Sequence, residues 1–206
     1  QLAMHGQPLY PLLVMAGPKV YTDPFRRLSS MCFDTLKMAQ PPSKASGGAD
    51  VSMRELAEIT RKVIKEAQDR QKMGSILYFF PEGSRCRSGG LERFIPASAR
   101  YCNTTGTTVY PIGFAGTDGL LGVDGKGIRL DDMRISIGPG IRYDDIEPQL
   151  PESASLKRKS WMDLLGFAVA HQLPESLRGA YNGASFSEDL PDWRPLLTSP
   201  PQIQSS

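Results

Sequence analysis

The clearest periodic pattern of apolar and polar residues lies in the first half of the chain and is helical. Residues 40–49 are rich in proline, serine and glycine, which predicts a loop. Ser52 and Glu55 follow at the spacing of a helix-capping box. After them, apolar side chains recur every three or four positions, at Leu56, Ile59, Val63 and Ala67. This spacing predicts an amphipathic helix that ends near Gly74.

Short apolar runs predict the strands, at residues 12–15, 32–38, 75–80, 107–114 and 134–137. The run that ends at Phe80 does not alternate with polar residues. Continuous apolar runs of this length are typical of a strand that is buried on both faces of a sheet. Helices are expected near Pro24 and over residues 96–102 and 161–173.

The order of these elements predicts the fold class. Strand, loop, helix and strand follow one another over residues 75–114, which is typical of an α/β unit with a parallel sheet. We therefore expect a single α/β domain over residues 1–185, with a central mixed, mostly parallel sheet flanked by helices. The proline-rich end, residues 186–206, is expected to be a poorly structured tail.

The composition narrows the possible function classes. The 206 residues are 40% hydrophobic and 22% charged, as in an ordinary globular domain. A net charge of +2 is too small to indicate a nucleic-acid partner. The chain has three scattered cysteines and only two histidines, which argues against a zinc site. Cysteines in this pattern are typical of free thiols in a reducing compartment. Since no run of 18 apolar residues occurs, no membrane-spanning helix is predicted.

Candidate chemistry is concentrated in the loop that follows the strand ending at Phe80. In α/β sheets, ligands bind beyond the carboxyl ends of the strands. Gly83 permits a tight turn, and the Arg85 guanidinium fits phosphate oxygens at two points, with Glu82 beside it to orient the guanidinium. Arg87 adds a second cation. The alternative is an exposed polar turn with a surface ion pair, and the residues alone favour that interpretation.

Ordered sequence blocks change this balance. Residues 80–85, Phe-Pro-Glu-Gly-Ser-Arg, resemble the Phe-Pro-Glu-Gly-Thr-Arg block of glycerol-3-phosphate and lysophosphatidate acyltransferases, with Ser84 in the threonine position. Residues 109–117 are similar to that family's Val-x-Pro-Ile strand. Residues 31–37 resemble the block that brings a basic residue, here Lys37, to the acceptor phosphate. Residues 173–181 resemble the C-terminal end of bacterial members, so the likeness covers most of residues 19–181.

The resemblance implies the glycerolipid acyltransferase fold and an O-acyltransferase. Its donor is an acyl thioester, acyl-CoA or acyl-carrier protein, and its acceptor is a glycerophosphate or lysophospholipid. No metal or bound cofactor is implied. Lys37 and Arg85 are the expected ligands of the acceptor phosphate. The loop is expected to be shaped by Glu82, Gly83 and Ser84, with Arg26, Arg27 and Arg87 as secondary candidates.

The family's catalytic His-x-x-x-x-Asp pair does not occur in the 206 residues. His5 is followed five positions later by Tyr10, and His171 by Ser176. No residue of the chain is therefore assigned as the catalytic base. We expect an N-terminally incomplete chain, since it begins with Gln1 and the family places the pair upstream. The alternative is a relative that has lost the base and serves as a non-catalytic lipid- or phosphate-binding module.

Lipid substrates imply a cytoplasmic protein that is peripheral at the inner face of a membrane. Two basic clusters are candidates for contact with anionic head groups, although a solvated surface is the simpler interpretation of each. They are Arg61, Lys62 and Lys65, and the run Lys157, Arg158 and Lys159.

Overall fold

A computed structural model describes residues 3–4, 7–8, 11–17, 21, 34–38, 52–83, 88–117 and 133–183. These residues form a mixture of helices and strands with small sheets, as the predicted α/β class requires. The chain divides into two compact units, Gln1–Phe80 and Pro81–Ser206. The expected helix near Pro24, the loop over residues 40–49 and the tail over residues 186–206 lie outside the described residues.

The first unit contains a three-stranded parallel sheet. Its strands are β3 (Leu12–Ala16), β4 (Asp34–Lys37) and β5 (Ile76–Tyr78), in the order β4-β3-β5. Ala16 pairs with Lys37 and Val14 with Tyr78, so β4 and β5 end at the same edge. A separate antiparallel pair consists of β1 (Ala3–Met4) and β2 (Gln7–Pro8). The strands predicted at residues 12–15 and 32–38 are confirmed over the described positions.

Helix α1 (Met53–Lys72) is the predicted capped helix. The Ser52 hydroxyl accepts the backbone N–H of Glu55, and the Glu55 carboxylate accepts that of Ser52. Of the predicted apolar face, only Val63 and Ala67 are buried, whereas Ile59 is 42% exposed. A helix of 20 residues is about 30 Å long, but strands of three to five residues span only about 10–17 Å. The short sheet therefore covers part of the helix.

The prediction that the strand before the candidate loop is buried on both faces is wrong. Ile76 is 55% exposed and Phe80 is 60% exposed, while Leu77 and Tyr78 are half-buried. Among the described residues β5 pairs with β3 and forms an outer strand of the three-stranded sheet. An unalternating apolar run thus occurs here on an outer strand of the described sheet whose faces are not fully covered.

The second unit pairs its strands antiparallel. They are β6 (Thr108–Val109) with β9 (Ile141–Arg142), and β7 (Ile112–Ala115) with β8 (Arg134–Ile137). The strand predicted over residues 107–114 is therefore divided in two at Tyr110-Pro111, where proline has no N–H to donate. The parallel strand–helix–strand unit predicted over residues 75–114 is not formed by these pairs, whereas the strand predicted at residues 134–137 is confirmed.

The core of the second unit is built on helix α3 (Ala154–His171), which begins seven residues before the predicted Trp161 and ends two before the predicted Leu173. Trp161, Met162 and Leu164 are completely buried. The helical segment predicted at residues 96–102 is a 3-10 helix, Pro96–Tyr101, that packs on α3. The Trp161 indole N–H donates to the Cys102 sulfur at 3.3 Å, and burial raises the pKa of this thiol to about 12.

Short helices complete the second unit. They are α2 (Tyr143–Ile146) and the 3-10 helices Glu147–Gln149, Glu175–Leu177 and Gly179–Tyr181. Within the described ranges, none of the helices is both long enough and apolar enough to cross a lipid bilayer.

Candidate functional site

The loop after β5 is closed at its base by two hydrogen bonds. The backbone N–H of Glu92 donates to Oε2 of Glu82 at 2.8 Å, and the N–H of Ile95 donates to the carbonyl oxygen of Pro81 at 2.9 Å. Both bonds join the first residues of the loop to a segment ten to fourteen positions later. The two bonds therefore tie residues 81–82 to residues 92–95 and close the stem of the loop.

Gly83 has the backbone role predicted from the sequence. Its φ of +69° lies in the left-handed region that other residues rarely adopt. A Cβ added there would lie 2.5 Å from Cδ1 of Ile95, one of the residues that closes the stem. Because Cδ1 is the far end of a flexible side chain that can move aside, the positive φ is the main reason that this turn favours glycine.

Glu82 contributes to this stem through its side chain. In the structure Oε2 of its carboxylate accepts the backbone N–H of Glu92, and Arg85, which the sequence predicts this carboxylate to orient, lies outside the described residues. Partial burial raises the pKa of Glu82, and the nearby Glu92 carboxylate raises it further, while the hydrogen bond acts in the opposite direction. The Ser88 hydroxyl donates to Oε1 of Glu92 at 2.8 Å, which adds a contact at the returning end of the loop.

Lys37 is the other described candidate and belongs to the first unit. It is the last residue of β4, at the carboxyl edge of the parallel sheet, and its side chain is exposed while its neighbour Leu36 is buried. Its Nζ lies 5.6 Å from the centre of the Tyr21 ring, within the range of a cation–π contact. The Tyr21 hydroxyl donates to Oγ1 of Thr35 at 2.9 Å, so the ring that Lys37 contacts is itself held by β4.

The structure thus describes Lys37, Glu82 and Gly83 of the predicted site, the first in one unit and the other two in the other. Ser84, Arg85 and Arg87 lie outside the described residues, as do Arg26 and Arg27.

Sequence reasoning did not identify Glu92, although its N–H closes the loop stem. Any residue except proline supplies a backbone N–H, so the sequence at position 92 carries no signal for this bond.

Of the two basic clusters, the one on α3 contains a lysine, Lys157, that forms an ion pair within the protein. Nζ of Lys157 lies 2.8 Å from Oε1 of Glu147, and this hydrogen bond raises the pKa of the lysine. Arg61, Lys62 and Lys65 are exposed on α1. Among the described residues, no three histidine, cysteine or acidic side chains are grouped to hold a metal ion, and His171 is an exposed residue at the end of α3.

The chain matches no protein-family model and no curated protein.

Proposed function

We propose that this protein is an O-acyltransferase that moves a fatty acyl group from acyl-CoA or acyl-carrier protein to a hydroxyl of a glycerophosphate or lysophospholipid. The observation that carries the proposal is the closed stem at Pro81–Gly83. Glu82 closes the base of the loop and Gly83 forms its turn. Arg85 follows Gly83 by two residues in the chain. A fixed stem favours recognition of a phosphate by a planar guanidinium, because binding depends on orientation.

The proposed architecture is the glycerolipid acyltransferase fold over residues 1–185. The three parallel strands of the first unit support it, since Lys37 ends β4 at the edge where β5 also ends. Ligands of α/β sheets bind beyond such carboxyl ends. Lys37 is exposed there and is assigned to the acceptor phosphate together with Arg85, and Arg87 is assigned a secondary role.

The proposed reaction transfers the acyl group in one displacement. A general base takes the proton of the acceptor hydroxyl, the oxygen attacks the thioester carbonyl carbon, and the C–S bond breaks. The base then gives its proton to the departing sulfur, which leaves as the thiol of the carrier. In the family that the sequence resembles, a His-x-x-x-x-Asp pair supplies the base, and the 206 residues do not contain this pair. The residues of this chain are accordingly assigned to acceptor binding.

Contact with a membrane surface forms part of the proposal because the acceptors and acyl chains are lipids. The exposed Arg61, Lys62 and Lys65 on α1 are candidates for contact with anionic head groups at the inner face of a membrane. Binding to vesicles with and without anionic lipid, compared between the full-length protein and a variant with these three residues changed to glutamine, tests this contact.

Acyl transfer by the full-length protein tests the proposed function. We expect transfer from acyl-CoA to glycerol 3-phosphate or lysophosphatidate but not to glycerol. Arg85→Ala should raise the acceptor KM by about tenfold or more, since hydrogen bonds to charged groups contribute about 1.5–3 kcal/mol. The matched control is Arg134→Ala, which removes an exposed arginine from β8 and should leave the acceptor KM unchanged.

Two results would overturn parts of this proposal. Unchanged kinetics in Arg85→Ala would remove the phosphate assignment. Binding of glycerol 3-phosphate without transfer from any acyl donor would instead identify a non-catalytic phosphate-binding module.

A further inference from the structure

Residues 91–95 of the loop have a second set of partners, on the C-terminal segment of the same unit. The N–H of Leu91 donates to the carbonyl oxygen of Leu177 at 3.0 Å, and the carbonyl oxygen of Leu91 accepts the N–H of Ala180 at 2.8 Å. A short extended segment is thus paired through the backbone with residues 177–180. The same segment provides the N–H groups of Glu92 and Ile95 that close the loop stem.

Close approach of the two backbones depends on Gly179. Its φ is +49°, and an added Cβ would lie 2.3 Å from the carbonyl oxygen of Leu91. Because the obstructing atom belongs to the backbone, no rotation of a side chain would relieve the clash. Glycine is therefore required where the C-terminal segment contacts the loop.

Tyr181 ends this contact with a buried hydrogen bond. Its hydroxyl oxygen accepts the backbone N–H of Phe94 at 2.9 Å, and both residues are at most 4% exposed. The Tyr181 ring packs edge to face against Phe94 at 5.3 Å and against Phe167 of α3 at 5.5 Å. The core of the second unit therefore holds the Tyr181 hydroxyl in place. The hydroxyl in turn holds the backbone N–H of Phe94, next to the residue that closes the loop stem.

We propose that residues 177–181 form a C-terminal latch that holds the stem of the loop after β5, residues 81–83 and 91–95, with Tyr181 as a positioning residue for acceptor binding. The proposal rests on the acyltransferase function proposed above. Its chain of contacts is short: Tyr181 holds Phe94, the adjoining Ile95 and nearby Glu92 hold Pro81 and Glu82, and Arg85 follows Glu82 by three residues.

Tyr181→Phe is the sharpest test because it removes one hydroxyl and keeps the ring. The matched control is Tyr143→Phe, the same change at a buried tyrosine whose ring packs on Trp161 of α3 at 5.3 Å. In the full-length protein, we expect Tyr181→Phe to raise the acceptor KM about fivefold, the effect of one lost hydrogen bond. The KM for acyl-CoA and kcat should change less than about twofold, and Tyr143→Phe should change neither KM.

Amide hydrogen exchange supplies a readout that does not depend on turnover. Tyr181→Phe should accelerate exchange in peptides that cover residues 88–95, and Tyr143→Phe should leave those peptides unchanged. A wild-type protein that transfers no acyl group would overturn the proposed function and the positioning role with it. An active wild type that depends on Arg85, with an unchanged acceptor KM and unchanged exchange in Tyr181→Phe, would overturn the latch alone.

Discussion

The two described parts of the proposed acceptor site are held in very different ways. At the loop stem, Glu82 accepts a backbone hydrogen bond and Gly83 occupies a backbone conformation that other residues rarely adopt. At the end of β4, Lys37 has an exposed side chain, whereas its neighbour Leu36 is buried. The Lys37 side chain contacts the Tyr21 ring.

This difference indicates that the two parts contribute differently to binding. Fixed backbone geometry provides orientation, because its conformational entropy is lost when the protein folds and not when the ligand binds. An exposed lysine provides charge that adapts to the ligand but must be ordered on binding. Changes at the stem should therefore alter stability and acceptor binding together, whereas changes at Lys37 should alter binding alone.

The largest expected effect on stability is at the contact between the latch and the loop. Gly179→Ala places a Cβ against the Leu91 carbonyl oxygen and adds the cost of a left-handed conformation, so we expect a loss of about 2–4 kcal/mol in the free energy of unfolding. Gly183→Ala is the matched control, since Gly183 has a φ of +93° with no atom within 4 Å of an added Cβ. Chemical denaturation should show a clearly smaller loss there; equal losses would mean that the contact with Leu91 is unimportant.

A smaller effect is expected at Glu82. Glu82→Ala removes the acceptor of the Glu92 N–H and should cost about 1 kcal/mol, whereas the amide oxygen of Glu82→Gln can still accept that bond. Denaturation of both variants at neutral pH distinguishes them. Equal stability of the alanine variant and the wild type would show that the bond does not support the stem.

The pH dependence of Glu82→Gln sharpens this prediction. Because burial raises the folded-state pKa of Glu82 above its ordinary value of 4.5, the carboxyl is most favourable to folding below pH 4.5 and this contribution is lost as pH rises through the folded-state pKa. The wild type should therefore lose stability relative to Glu82→Gln as pH rises from 4 to 7. If the difference in the free energy of unfolding between the two proteins stays constant from pH 4 to 7, the raised pKa of Glu82 is contradicted.

The smallest effect on stability is expected at Lys37. Lys37→Met keeps the length of the side chain but removes its charge, and an exposed cation–π contact contributes only about 0.5–1 kcal/mol. The free energy of unfolding should change by no more than that, while the acceptor KM of the full-length protein should rise severalfold. Lys72→Met, at an exposed lysine at the end of α1, is the control. A similar rise in both variants would attribute the effect to general surface charge.

Local signals predicted the structure better than non-local ones. Ser52 and Glu55 lie three residues apart, so their mutual hydrogen bonds and the start of α1 could be predicted from the sequence. The exposure of Ile76 and Phe80 depends on which distant elements pack over these side chains, and an apolar run carries no information about that. The antiparallel pairing of β7 also depends on a distant segment, because its partner β8 lies beyond Thr117 in the chain. The local sequence of β7 could not predict it.

The candidate site shows the same division. The backbone conformation of Gly83 was predicted because glycine in a turn has a local cause. The bonds from Glu92 to Glu82 and from Phe94 to the Tyr181 hydroxyl join residues 10 and 87 positions apart. Each uses a backbone N–H, which every residue except proline supplies, so the fold had to be known before they could be found.

Titration of glycerol 3-phosphate into the full-length protein tests most directly the claim that the loop after β5 binds the acceptor phosphate. The account predicts saturable binding that is absent for glycerol, that weakens by about tenfold or more in Arg85→Ala, and that is unchanged in Arg134→Ala. Equal affinity of the wild type and Arg85→Ala for glycerol 3-phosphate, or equal affinity of the wild type for glycerol and its phosphate, would contradict it.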